Sequence, residues 1–214
     1  MGTNASWISA AGLSKADLLD RLGMVETSQT INLAEQRLDG DTEAGVAVLS
    51  SGRILVVFGD YADRVTAAEL SVGCELVHCS MSEVVMHSEA FGFKDGEELW
   101  SIVHDPSKHR HGVDASGALP SGFDEAMSKA KRGADDDVDY FFDVPIQIAA
   151  NVGGYRADED IGDFDNIVQV AEPKLIAQNR AAMAAQAVAR AEKAAAWKTS
   201  GGLAGAVKRL FGGR

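Results

Sequence analysis

The chain predicts an α+β fold: a mostly antiparallel sheet of about six strands with helices on one face, followed by an Ala-rich helical tail. Two observations carry that expectation. Short alternating apolar runs fill the first 104 residues with turn residues between them, whereas capped helical patterns take over after Pro120. A third sets the tail apart. Residues 172–214 hold eight basic residues against two acidic ones, a net +6, so the overall −12 leaves −18 on residues 1–171. The domains expected are therefore an acidic body, 1–171, and a basic tail, 172–214.

In chain order, a first strand centres on Trp7. Ser14 then caps KADLLDRLGM, in which Leu18, Leu19 and Leu22 share a face and Gly23 stands in the stop position, predicting a helix over 15–22. Residues 25–43 are polar and without pattern. GVAVLSSGRILVVFGD predicts a hairpin turning at Ser51 and Gly52, and Thr66 with Glu69 has capping-box spacing ahead of AAELSV. Three strands follow, over 74–81, 84–93 and 97–104, joined by Ser82-Glu83 and Asp95-Gly96. Ser121 and Asp124 open FDEAMSKAKRG, which Gly133 closes. Asp143, with Pro145 in the first turn, opens PIQIAANVGG.

The segment CELVHCSMSEVVMHSEAFGF raises the sharpest chemical question, with Cys74, Cys79, His78 and His87 close together. Cys74 and Cys79 on one strand would lie about 17 Å apart, too far for a disulfide. Cys79, expected opposite Met86, suits a core better than a nucleophile. Two-residue turns at Ser82-Glu83 and Asp95-Gly96 would set His78 opposite His87 and His87 opposite His104. Such a row of three imidazoles could share Zn²⁺ or another divalent cation, with Glu89 on the same face orienting a ligand or acting as general base. All five histidines fall between 78 and 111, which favours the row. Against it stand the dependence on register and the ordinary packing of a sheet face.

No G-x-S-x-G, G-x-x-x-x-G-K-[ST], H-E-x-x-H, C-x-x-C or G-x-G-x-x-G occurs, so no catalytic residue is assigned. The acidic DEDIGDFDN fails as a Ca²⁺ loop, because counting from Asp158 puts Asp163 where Gly belongs and Gln169 where Glu belongs. The start, MGTNAS, matches a myristoylation pattern at Gly2 and Ser6, yet has neither the basic region nor the apolar block of a secretory signal. No apolar run reaches membrane-spanning length. A cytoplasmic protein is expected.

From Pro173 to Lys198 eleven alanines favour helix until Gly201-Gly202. In LAGAVKRLFGGR, Leu203, Val207, Leu210 and Phe211 form an apolar stripe with Lys208 and Arg209 beside it, a basic amphipathic segment suited to the acidic body, a partner groove or an anionic membrane. DYFFDVPIQIAANVGGYRADED, together with the early Trp7 and ELWSIVHD, resembles a segment of uncharacterised bacterial proteins over about 150 residues. The resemblance implies an α+β fold and no activity.

Three functions remain open. The leading expectation is a non-enzymatic protein-interaction or regulatory protein whose acidic body takes a basic protein partner. The alternatives are a metal-dependent enzyme built on His78, His87 and His104, and a peripheral membrane protein held by its C-terminal helix. Nucleic acid is not expected as the main ligand, since phosphate binding needs clustered cations.

Overall fold

The computed structural model describes residues 4–31, 44–58, 64–133, 138–157 and 167–171. It contains β1 (Asn4–Ala11), α1 (Lys15–Leu22), β2 (Val25–Ile31), β3 (Ala44–Val48), β4 (Ile54–Phe58), α2 (Arg64–Leu70), β5 (Glu75–Ser82), β6 (His87–Lys94), β7 (Glu97–His104), β8 (Asp114–Gly117), α3 (Phe123–Gly133), α4 (Asp143–Gly153) and β9 (Ile167–Ala171). The strands form one sheet in the order β2-β9-β3-β4-β1-β5-β6-β7-β8, and every neighbouring pair is antiparallel. The α+β expectation holds in outline, but the sheet has nine strands rather than six. The three unexpected ones are β2, β8 and β9.

Helices cover both sheet faces, which corrects the one-face expectation. Trp7, Leu55, Val57, Val77, Cys79, Ala90 and Ile102 pack with Ala130 of α3 and Val144, Ile148 and Ala149 of α4. Ile8, Ala10, Ile54, Val56, Leu76, Phe91 and Phe93 pack with Leu18 and Leu19 of α1 and Ala67 and Leu70 of α2. The central strands show why. Residues 6–10 of β1 are buried in succession, so an alternating one-sided pattern is replaced by a strand closed on both faces. Each fully buried aliphatic or aromatic side chain here contributes roughly 1.5–3 kcal/mol of transfer free energy.

Local chemistry sets the elements that the sequence made legible. Ser14 Oγ accepts from Asp17 N at 3.2 Å while the Asp17 carboxylate takes the Ser14 N–H, so both satisfy otherwise orphaned donors of α1. Gly23 then ends α1 at φ 65°, a left-handed position where a Cβ is costly. Gly154 does the same for α4, its N–H returning to Ala150 O at 2.8 Å. α2 starts at Arg64, two residues ahead of Thr66, so the proposed Thr66–Glu69 box falls inside the helix rather than at its opening.

By its contacts the chain divides into Met1–Glu172 and Pro173–Arg214. The second unit lies outside the described residues, as do the acidic segment 158–165 and the N-terminal Gly2. Among the described residues no helix is long and apolar enough to cross a membrane.

Candidate functional site

The three histidines do not form a row, and two backbone features explain why. β5 runs on to Ser82 and turns over the four residues Glu83–Met86, with Met86 at φ 53°, so Ser82 rather than His78 faces His87. His78 faces Phe91 instead, and the two rings stack with centroids 6.0 Å apart and 18° between planes. The Asp95-Gly96 turn is the two-residue one expected, both residues having positive φ, and it pairs Lys94 with Glu97. The register then shifts by one residue at Leu99, Gly92 pairing with Trp100, so His104 faces Ser88. That slip turns His104 to the sheet face opposite His87. The cause is a packing contact. A Cβ at residue 92 would overlap the Trp100 indole, so the glycine and the bulge together let the ring lie flat on the sheet.

The expected pairing of His78 with His87 and of His87 with His104 is thereby corrected. Among the described residues no three His, Cys, Asp or Glu side chains are grouped to hold a metal ion. Glu89 does share a face with His87, and their side chains pair at 3.5 Å. Cys74 and Cys79 are both buried and form no disulfide, and Cys79 lies within the core as the sequence suggested. Cys74 Sγ donates to Leu70 O at 3.4 Å, and burial pushes its thiol pKa up, away from the reactive thiolate.

His104 has a structural role that the sequence did not disclose. Fully buried, it places Nδ1 2.8 Å from Gly112 O and Nε2 2.9 Å from Asp139 Oδ2. Asp139 Oδ1 in turn accepts the Phe141 N–H at 3.1 Å. The ring thus clasps the loop after β7 to the connection between α3 and α4. With both nitrogens engaged, it has none left to bind metal or to act as a base.

On the opposite face Ser6, His78 and Ser80 are all closed to solvent, and Ser6 Oγ lies 3.5 Å from His78 Nε2. A hydroxyl beside an imidazole has the composition of a nucleophile and its base. Burial of both keeps a substrate away, so this pair belongs to the core.

The end of the body where α1, α2 and the β6–β7 turn meet is different. Arg21 Nη1 donates to Leu70 O at 2.8 Å and to Val72 O at 2.6 Å, Gly73 N donates to Asp95 Oδ1 at 3.1 Å, and Gly96 N donates to Ser71 Oγ at 2.9 Å. These bonds lock three segments together around Val72, which remains 57% exposed. The segments carry the exposed carboxylates Asp20, Glu69, Asp95 and Glu97. Of the cations beside them, Arg21 is anchored to backbone carbonyls and keeps its charge, and Lys94 pairs with Glu75 at 2.9 Å. Asp20, Glu69 and Glu97 have no ion pair among the described residues.

No family model, curated protein or solved structure matches the chain. The other positions singled out in the sequence, Leu203, Val207, Lys208, Arg209, Leu210 and Phe211, lie outside the described residues.

Proposed function

We propose that the chain is a non-enzymatic interaction protein whose acidic body binds a basic protein partner, with the α1, α2 and β6–β7 end as the contact surface. The observation that supports it is the set of exposed carboxylates on the segments that meet at exposed Val72, of which Asp20, Glu69 and Glu97 make no ion pair among the described residues. Uncompensated surface charge steers an oppositely charged partner, and an apolar side chain at its centre supplies the desolvated contact that charge alone lacks. The net −18 of residues 1–171 extends the same field over the body.

The test is reversal of Asp20, Glu69 and Glu97 to lysine in the full chain. Immobilised native protein should retain basic proteins at low ionic strength and release them at physiological salt, where screening acts within about 8 Å. The triple variant should retain none of them. Retention that survives both salt and charge reversal would remove this reading. Peripheral membrane binding through residues 203–211 remains a second proposal on sequence grounds. Deleting residues 200–214 should then abolish binding to anionic vesicles, and unchanged binding would remove it.

A further inference from the structure

A half-open cavity of about 280 Å³ lies between α3 and α4, apart from the acidic surface. Ala126 and Ala130 of α3 and Val144 of α4 give it apolar walls, and the Tyr140 ring stands at its side. Three charged side chains line it as well: Lys129 from α3, Asp139 from the connection and Asp143 from the first turn of α4. Both carboxylates are oriented by groups already described or close at hand. Asp139 is held by His104 Nε2 and the Phe141 N–H, and Asp143 accepts from the Arg156 guanidinium, whose other branch donates to Gln147 Oε1 at 3.0 Å. Asp143 uses Oδ1 for Arg156, so its Oδ2 is uncommitted among the described residues. Lys129 has no ion pair among them.

The volume and the charge pattern together define what fits. Drug-sized ligands take pockets of about 300–1,000 Å³, so this cavity suits a smaller molecule. Two oriented carboxylates would recognise an ammonium group, whereas Lys129 would repel a simple cation and pair with an anion. A ligand carrying both charges on a short scaffold matches Lys129, Asp139 and the open Oδ2 of Asp143, with an aliphatic portion against Ala126, Ala130 and Val144. We propose that the α3–α4 cavity binds a small zwitterion of the α-amino-acid class, its ammonium held by Asp139 and Asp143, its carboxylate by Lys129 and its side chain by the apolar walls. Asp139 is presented by His104, which makes that buried histidine a positioning residue for the site.

The test uses the full-length protein, isotope-labelled for amide shift mapping and titrated with L-leucine, N-acetyl-L-leucine, L-leucinamide and N-acetyl-L-lysine methylamide. Free leucine should shift amides of α3 and α4, and masking either charge should weaken binding about tenfold, the value of one charge-assisted hydrogen bond. Lys129→Met should bind leucine and leucinamide alike, since the residue that senses the carboxylate is gone. Asp143→Asn should lose the preference for the free ammonium over the acetylated form. Ala126→Phe, on the partly buried wall of the cavity, should abolish the shifts while the remaining amide spectrum stays native. Absence of shifts with leucine at millimolar concentration would overturn the proposal. So would equal binding of the masked compounds, or preferred binding of the lysine derivative, which would instead make the cavity a socket for a basic side chain.

Discussion

At the scale of single residues, the site-bearing region is governed by contacts that join distant positions. His104 is the clearest case. Replacing it with alanine leaves the part-buried Gly112 carbonyl and Asp139 carboxylate without the ring that joins them, and the expected cost is about 2 kcal/mol by urea denaturation. A double-mutant cycle with Asp139→Ala should show coupling of at least about 1 kcal/mol, whereas additive effects would mean that the clasp contributes little. Gly92→Ala should also destabilise, by about 3 kcal/mol, because the added methyl meets the Trp100 indole. The same pair explains how far the histidines could be read from sequence. Asp95-Gly96 announced its turn correctly through the positive φ that both positions adopt. Nothing local announces that Trp100 must lie over Gly92 and push Leu99 into a bulge. One inserted residue then exchanges the faces of the strand, and the expected row of imidazoles separates.

At the scale of elements, legibility followed local chemistry. α1 was readable because Ser14, the apolar face and Gly23 all act within one short segment, and α4 because Pro145 in the first turn and the closing glycines mark its ends, although Phe142 stands at its N-cap and no side chain caps it. The edge strands β2 and β8 were not. VETSQTI and DASG present polar side chains to solvent, and they become strands only through pairing with β9 and β7 respectively. β9 joins β2 to β3 across more than a hundred residues of sequence, a contact that no local pattern encodes. Ser14→Ala should cost about 1 kcal/mol by removing the α1 cap.

Acid stability follows from the same local bonds. The Ser14 hydroxyl holds the Asp17 carboxyl below its ordinary pKa, Lys94 does so for Glu75, and the Ser107 hydroxyl for Asp105. A carboxyl depressed in the folded state contributes stability above its unfolded value, and that contribution is lost as the pH falls through the folded value. Melting temperature should therefore decline on acidification below about pH 4, the ordinary carboxylate range. Lys94, raised by Glu75, gives the opposite limb, its contribution lost only as the pH rises above the ordinary lysine value. Lys94→Met should remove the alkaline limb and only the Glu75 share of the acid limb, leaving the shares of Asp17 and Asp105, and an unchanged melting profile would show that this exposed pair has no net effect on stability.

At the scale of the whole molecule, a nine-stranded sheet with helices on both faces buries its centre and leaves charge to the periphery. The charge division was legible without any structure, since it needs only a count along the chain. Which carboxylates are left uncompensated was not, because Arg21 and Lys94 are near neighbours of the acidic groups and their commitments depend on tertiary bonds. A partner that is basic, salt-sensitive and anchored near Val72 fits that distribution.

The most direct measurement is an amide shift titration of the full-length protein with a lysine-rich cationic peptide at low ionic strength, repeated with Asp20, Glu69 and Glu97 changed to lysine. Shifts concentrated at residues 20–21, 69–73 and 95–97, lost in the variant, are the expected result. Shifts spread evenly over the body, or unchanged by the variant, would contradict the assignment of this end as the binding surface.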